Sequence, residues 1–190
     1  MTRAFIVGNG VSRQAINLDG LKAHGRVYGC NALYREWSPD VLVAADKAIS
    51  EQIQHSGYAN NNVFYTRRPI SGLGARRIPD PYWGFSSGQI ALALAAIDKC
   101  SPIFLLGFDL GSVNDRFNNV YADTEFYKKS SARPTYSGNW VRQIIQVAKD
   151  FPHCKITRVI GSTTAVINDF DKVINIDSMN IDEFKDYFGV

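Results

Sequence analysis

Short apolar runs alternate with helix-like segments along this chain, and most runs stop at a glycine, an asparagine or an aspartate. The runs occupy residues 5–7, 26–30, 41–45, 62–65, 102–106, 155–159 and 173–176. In such a run, consecutive residues are apolar, so the side chains on both faces of a strand would be apolar. This is typical of strands buried between two layers of helices. The alternation therefore predicts an α/β, Rossmann-like fold with a mostly parallel sheet and helices on both faces.

The helix-like segments lie between these runs or after the last one. Apolar residues at helical spacing, or rich in alanine and leucine, predict helices at 48–55, 89–99, 139–150, 162–168 and 181–188. A length of 190 residues suits a single domain spanning 1–190. Residues 66–85 and 115–135 lack periodicity, and we predict two excursions there, the second a lid or flap.

Composition narrows the classes of partner and compartment. The net charge of +3 is small and dispersed, so it does not favour a nucleic-acid ligand. Cys30, Cys100 and Cys154 include no close pair, which argues against a disulfide framework or a zinc ribbon and favours a reducing compartment. The N-terminus has no signal-peptide pattern, and the apolar stretch at 90–97 is too short to span a bilayer. We expect a cytoplasmic protein with no transmembrane segment, and a homo-oligomer is compatible with the sequence.

Polar and glycine-rich residues follow the predicted strands or open the next helix. These are Gly8-Asn9-Gly10, Asn31, Asp46, Ser86-Ser87-Gly88 and Gly107-Phe108-Asp109. In an open parallel sheet such residues meet at one edge, where ligands bind. Glycines and a helix N-terminus suit a phosphate, and asparagine suits a sugar hydroxyl or a base edge. The pattern predicts a nucleotide site at the carboxyl edge of the sheet.

The ordered set of segments resembles a known family. Residues 5–12, 29–34 and 103–109, together with Ser86-Ser87-Gly88 and its alanine-rich helix, are similar to the motifs of bacterial sialyltransferases that use CMP-sialic acid. The resemblance covers roughly residues 5 to 150. Pterin diphosphokinase-like proteins share much of the same pattern on a similar nucleotide-binding core.

The resemblance implies a set of nucleotide-binding residues. They are Gly8, Asn9, Gly10, Ser12, Asn31, Ser86, Ser87, Gly88, Gly107 and Asp109. Tyr121 matches a flap tyrosine that stabilises the departing phosphate, and Tyr136 occupies the place of the family's catalytic histidine. Both tyrosines are therefore the catalytic candidates. The family's arginine before the serine motif is absent.

Loop arginines are the candidates to replace that missing cation. Arg76, Arg77 and Arg133 could steer a phosphorylated or acidic acceptor toward the site. Their placement relative to the strand ends is open at the level of sequence.

Three functions are compatible with this pattern. The first is a glycosyltransferase-like enzyme that binds a nucleotide-sugar, CMP-linked by resemblance, and transfers the sugar to an unknown acceptor without a metal or other cofactor. The second is a metal-dependent diphosphotransferase or other phosphoryl transferase, with Asp46 and Asp109 as metal ligands. The third is a non-catalytic nucleotide-binding or structural module derived from a transferase. A viral or mobile-element origin is compatible with so compact a chain.

Overall fold

An eight-stranded sheet, parallel throughout, forms the centre of the computed structural model, which describes residues 1–190. The strands are β1 Ala4–Val7, β2 Arg26–Cys30, β3 Val41–Ala44, β4 Val63–Thr66, β5 Arg76–Arg77, β6 Ile103–Leu106, β7 Ile156–Ile160 and β8 Ile176–Asn180. Their order across the sheet is β5-β4-β3-β2-β1-β6-β7-β8. The predicted α/β, Rossmann-like fold is confirmed.

Five α-helices and five 3₁₀ turns connect the strands. The helices are α1 Leu18–Leu21, α2 Lys47–His55, α3 Ser87–Ile97, α4 Gly138–Asp150 and α5 Ile181–Phe188. The 3₁₀ turns are Val11–Ala15, Asn31–Arg35, Tyr58–Asn60, Tyr82–Gly84 and Asn168–Lys172.

Alternate residues of the strands bury two separate hydrophobic layers. In β1, Ile6 faces α3 and α4, whereas Phe5 and Val7 face α2 and α5. The helix α3 is buried on nearly all sides, which its run of alanine, leucine and isoleucine requires. Both faces of the sheet are thus covered by helices, as the doubly apolar strands predict.

Three local predictions differ from the structure. The excursion at 66–85 contains the short edge strand β5, which pairs with the end of β4. The last strand begins at Ile176, because its register is set by pairing with Ile156, and Ile174 before it is 98% exposed. The predicted helix at 162–168 is absent, since residues 162–167 form a loop and a 3₁₀ turn begins only at Asn168.

The reason for the loop at 162–167 is a polar contact with a distant residue. The hydroxyls of Thr163 and Thr164 both donate to the carboxylate of Asp109, at 2.8 and 3.2 Å. These bonds hold the segment against the end of β6 instead of allowing it to continue as a helix after β7.

None of the helices combines the length and the apolar character that crossing a membrane requires.

Candidate functional site

The candidate site lies where the strand order of the sheet reverses. From β1 the chain proceeds outward to β5, then returns to β6, which lies on the other side of β1 and continues outward to β8. The loops after β1 and β6 therefore leave the sheet in opposite directions and open a crevice at its carboxyl edge. These loops are the two glycine-containing segments, 8–10 and 107–109.

Glycines in these two loops permit the loops to interlock. The Gly10 amide donates to the Gly107 carbonyl at 2.8 Å, and the Gly8 amide donates to the Leu106 carbonyl at 2.8 Å. A Cβ on Gly10 would lie 2.5 Å from both the Gly107 oxygen and the Asp109 Cγ, and Gly107 has a φ of +68°. Close packing of backbone on backbone, more than approach to a phosphate, accounts for glycine at 8, 10 and 107.

Asp109 supports the glycine loop, which is the segment 8–10 after β1. Its carboxylate, 3% exposed, accepts from the Ser12 amide at 3.1 Å and from the Ser12 hydroxyl. It also accepts from Asn118 Nδ2 at 3.1 Å and from the two threonine hydroxyls of the 162–167 loop. All the partners are donors, so both oxygens are used within the protein. The amide and the hydroxyl of Ser12 are both used in hydrogen bonds to Asp109, and Ser12 does not line the cleft.

Arg158 of β7 fixes the backbone of the second loop. Its guanidinium is almost fully buried and donates to the carbonyls of Phe108, Asp109 and Ala165 at 2.8–3.0 Å. Burial lowers the pKa of Arg158 to about 10, against the opposing effect of Asp109. Sequence reasoning missed this residue, although an arginine inside a strand rich in isoleucine and valine was the available signal.

The first turn of α3 presents unused amide groups to the cleft. The Ser86 amide donates to Gln143 Oε1 at 2.8 Å, and the first helical bond runs from Ile90 to the Ser86 carbonyl at 2.9 Å. Between them, the amides of Ser87, Gly88 and Gln89 have no acceptor in the protein, and all three residues line the cleft. Unbonded amides at a helix N-terminus form an anion-binding arrangement.

The Ser87 hydroxyl has a structural task. It accepts from the Ala45 amide at 2.9 Å and so ties the start of α3 to the end of β3. Gly88 leaves room for the Phe108 ring, since a Cβ there would lie 3.1 Å from it. The Phe108 ring thus forms the floor of the cleft, and the start of α3 packs against this ring.

Two asparagines contribute unpartnered acceptors to the same cleft. The Oδ1 atoms of Asn9 and Asn31 are buried and make no hydrogen bond. Asn31 also holds a left-handed backbone with φ of +54°, which is uncommon outside glycine. A buried amide without a partner is costly unless a ligand or water completes it, so both side chains are expected to bind a polar ligand.

The flap covers the glycine loop. Asn118 Oδ1 accepts from the Val11 amide at 2.9 Å, and the Val120 amide donates to the Asn9 carbonyl at 2.8 Å. Asn118 and Asn119 thereby become part of the cleft wall, and Trp140 of α4 lines another part. The resulting cleft has a volume of about 140 Å³, which is below the range of sites that enclose drug-sized ligands, and it opens to solvent.

The predicted nucleotide-binding residues come together, with one exception. The cleft is lined by Gly8, Asn9, Gly10, Asn31, Ser86, Ser87, Gly88, Gly107 and Asp109, and Ser12 lies behind it. Sequence reasoning missed four polar or aromatic lining residues, which are Gln89, Asn118, Asn119 and Trp140. The flap asparagines gave no signal, because nothing in the sequence indicates which flap residues dock.

Neither candidate catalytic tyrosine lines the cleft. Tyr121 is buried, and its hydroxyl donates to Glu36 Oε1 at 2.5 Å and accepts from Arg13 Nη2 at 2.8 Å. Burial raises the pKa of Tyr121, with Arg13 opposing and Glu36 adding to that effect. Tyr136 is 71% exposed and folds back toward Gly138 at the start of α4.

Glu36 remains charged within this cluster. Burial raises the pKa of its carboxyl, but the hydrogen bonds from Tyr121 and Arg13 outweigh that effect and lower it. The ion pair between Arg13 and Glu36 spans 3.0 Å. The Tyr121 hydroxyl thus joins an ion pair that fastens the flap to the turn after β2.

The three candidate steering arginines lie away from the cleft. Arg76 and Arg77 are exposed on β5, four strands from β1 and so about 20 Å away, and Arg77 pairs with Asp80 at 3.3 Å. Arg133 is exposed in the flap segment. None of the three lines the cleft.

Titratable groups are scarce in the cleft. Of its lining residues only Cys30 and Asp109 have ionisable side chains. Burial raises the pKa of the Cys30 thiol to about 12, and Asp109 is saturated with hydrogen-bond donors. The cleft can therefore bind and polarise an anion, but its own lining provides no free general base.

No family model, no curated protein and no solved structure matches this chain. No three histidine, cysteine, aspartate or glutamate side chains converge in a way that could hold a metal ion.

Proposed function

We propose that this chain binds a nucleotide-activated sugar, CMP-linked in its favoured form, and transfers the sugar to an acceptor hydroxyl. The observation that carries the proposal is the juxtaposition of unbonded α3 amides with the unpartnered Asn9 and Asn31 amides in one cleft. A ligand with a phosphate next to a polar ring substituent would satisfy both the α3 amides and the two asparagine side chains.

The phosphate fits the start of α3. The amides of Ser87, Gly88 and Gln89 point outward from a helix whose dipole favours negative charge at that end. When the bond between sugar and phosphate breaks, negative charge develops on the phosphate. Fixed backbone amides stabilise that charge without a proton transfer and without a metal.

The nucleoside fits the remaining walls. Asn9 and Asn31 can each accept from and donate to ribose hydroxyls or a base edge, and the indole of Trp140 offers a surface for stacking. The cytidine preference rests on the motif resemblance, which supports a CMP-linked donor over other nucleotides.

The non-catalytic module is the second candidate, and a specific observation favours it. The cleft lining contains no free base, and both tyrosines lie outside it. A protein of this kind would bind the nucleotide without turnover. The diphosphotransferase is disfavoured because all the oxygen acceptors of Asp109 are used, which leaves Asp46 as the free carboxylate of the pair.

A thermal-shift screen tests the nucleotide site. CMP, CDP, UDP, GDP and ATP are each added with and without magnesium, and we expect a metal-independent response to CMP. At one hundred times its dissociation constant CMP should stabilise the fold by about 2.7 kcal/mol. Asn31→Ala should abolish the response, whereas Asn61→Ala, an exposed asparagine, should keep it. A magnesium-dependent response to ATP would favour phosphoryl transfer, and no response to any nucleotide would contradict the proposal.

A further inference from the structure

A second cavity continues the cleft along the carboxyl edge of the sheet. It has a volume of about 350 Å³ and shares Asn31 with the nucleotide cleft. Its other lining residues come from the turn into α2 and from the flap, namely Asp46, Ala48, Ile49, Phe126 and Tyr127. Because Asn31 belongs to both cavities, a molecule in the second one would lie directly beside a ligand in the first.

Asp46 is the free carboxylate at this edge. It follows β3, whose neighbour β2 ends at Asn31, and it is exposed. Although it precedes α2, its side chain makes no capping hydrogen bond. None of the ion pairs in the molecule involves it. It lines the second cavity together with Tyr127, and its charge adds to the raised pKa of that phenol after the larger effects of burial and Cys30.

A third cavity shares Asp46 and is basic. It is lined by Lys47, Arg67 and Arg68 together with Ser50 and Trp83. Arg67 is fixed there by hydrogen bonds to the carbonyls of Trp83 and Phe85, both at 2.8 Å. Arg68 is exposed and has no ion-pair partner, so its guanidinium is available to an anion.

We propose that this row of cavities is the acceptor site, in which Asp46 takes the proton of the acceptor hydroxyl and the basic cavity holds an acidic group of the acceptor. This inference rests on the proposed function. The acceptor class is a hydroxyl compound, such as a sugar, that carries a carboxylate or phosphate. The cation needed for that group comes from Arg67, Arg68 and Lys47, not from the edge-strand arginines.

The transfer step balances with these groups alone. The acceptor oxygen forms a bond to the anomeric carbon of the donor sugar, and the bond from that carbon to the phosphate oxygen breaks. The nucleotide leaves with the electron pair, facing the α3 amides, and the hydroxyl proton passes to the Asp46 carboxylate. The base that the nucleotide cleft lacks is thus supplied from the adjoining cavity.

Asp46→Asn is the direct test, because it keeps the shape and removes the base. CMP release from CMP-sialic acid is measured with galactose and with galacturonic acid, two acceptors that differ in one carboxylate. We expect galacturonic acid to be the better acceptor for the wild type, and Asp46→Asn to lower acceptor-dependent release about 100-fold or more. Asp186→Asn, an exposed aspartate of α5, should behave as the wild type.

Arg68→Gln tests the acidic group separately. It should remove the preference for galacturonic acid, measured as the ratio of the rates with galacturonic acid and with galactose. CMP affinity, measured by calorimetry, should be unchanged within about twofold in all these variants, since none alters the nucleotide cleft.

The outcomes separate the two proposals. Asp46→Asn with full acceptor-dependent release, or a wild type that binds CMP but releases it no faster with either acceptor, overturns the acceptor site and leaves nucleotide binding intact. A wild type that binds no CMP contradicts the proposed function, and the acceptor site then fails with it.

Discussion

Asp109 is the residue on which the shape of the candidate nucleotide cleft depends most. Its carboxylate joins the turn after β1, the flap and the loop after β7 through Ser12, Asn118, Thr163 and Thr164. A carboxylate is required because every neighbour donates. The residue therefore holds the glycine loop in place, and its contribution to a ligand is indirect.

Asp109→Asn tests this support. The carboxamide would turn an NH₂ group toward donors, leaving at least one of them buried without an acceptor. We expect the free energy of unfolding in urea to fall by about 2–3 kcal/mol. Asp115→Asn, a matched change at an exposed flap residue, should alter it by less than about 0.5 kcal/mol. Equal unfolding midpoints for the two variants would contradict the supporting role of Asp109.

At the level of residues, the sequence predicts membership of the site better than it predicts roles. Asn9 and Asn31 follow strands, so the strand ends alone indicate that they meet. The tasks of Ser12, Ser87 and Tyr121 depend on partners 97, 42 and 85 residues away, and no local pattern encodes those partners. This is why residues expected to touch the nucleotide include some that only support the loop.

The flap is the element that closes the site. Its backbone bonds the Asn9 carbonyl through Val120, and Tyr121 then inserts into the core beside Arg13 and Glu36. Arg13 is 5% exposed, so the Tyr121 hydroxyl is one of the few groups that satisfy it. This cluster fastens the flap over the glycine loop, and the flap in turn supplies Asn118 and Asn119 to the cleft.

Tyr121→Phe is expected to loosen the flap without disturbing the sheet. Removing the hydroxyl deprives the buried Arg13 and the exposed Glu36 of a shared partner, which should cost about 1–2 kcal/mol. Amide hydrogen exchange should then quicken in residues 117–127 and stay unchanged in β1 and β6.

Tyr187→Phe is the matched control, because Tyr187 is 69% exposed and its hydroxyl makes no hydrogen bond. If the flap exchanges equally in both variants, the cluster does not fasten it. If CMP release requires Tyr121 while flap exchange does not change, the hydroxyl acts on the substrate and its role as a fastener of the flap is wrong.

Elements with strong periodicity were predictable, and those fixed by tertiary contacts were not. The alanine-rich helix after Ser86 and the helix at 139–150 are both present, as α3 and α4. The two-residue strand β5 has no periodicity and forms because its backbone meets the exposed edge of β4. The 162–167 segment is apolar enough for a helix, yet its threonines bond Asp109 instead.

At the scale of the whole molecule, the order of the strands creates the site. Apolar runs identify strands but not their neighbours, so the pairing of β1 with β6 could not be derived from the sequence. That pairing sets the crevice between segments 8–10 and 107–109. It also lines up β2, β3 and β4 on one side, which produces the row of cavities joined by Asn31 and Asp46.

The central claim is that a nucleotide phosphate binds at the start of α3. The most direct measurement is the chemical-shift change of backbone amides in ¹⁵N-labelled protein during a titration with CMP. We predict saturable shifts at Ser87, Gly88 and Gln89 and at the side-chain amides of Asn9 and Asn31, with Val166, which lines a separate cavity, unmoved. Shifts that saturate elsewhere while the α3 amides stay in place, or no shift at all at millimolar CMP, would contradict the claim.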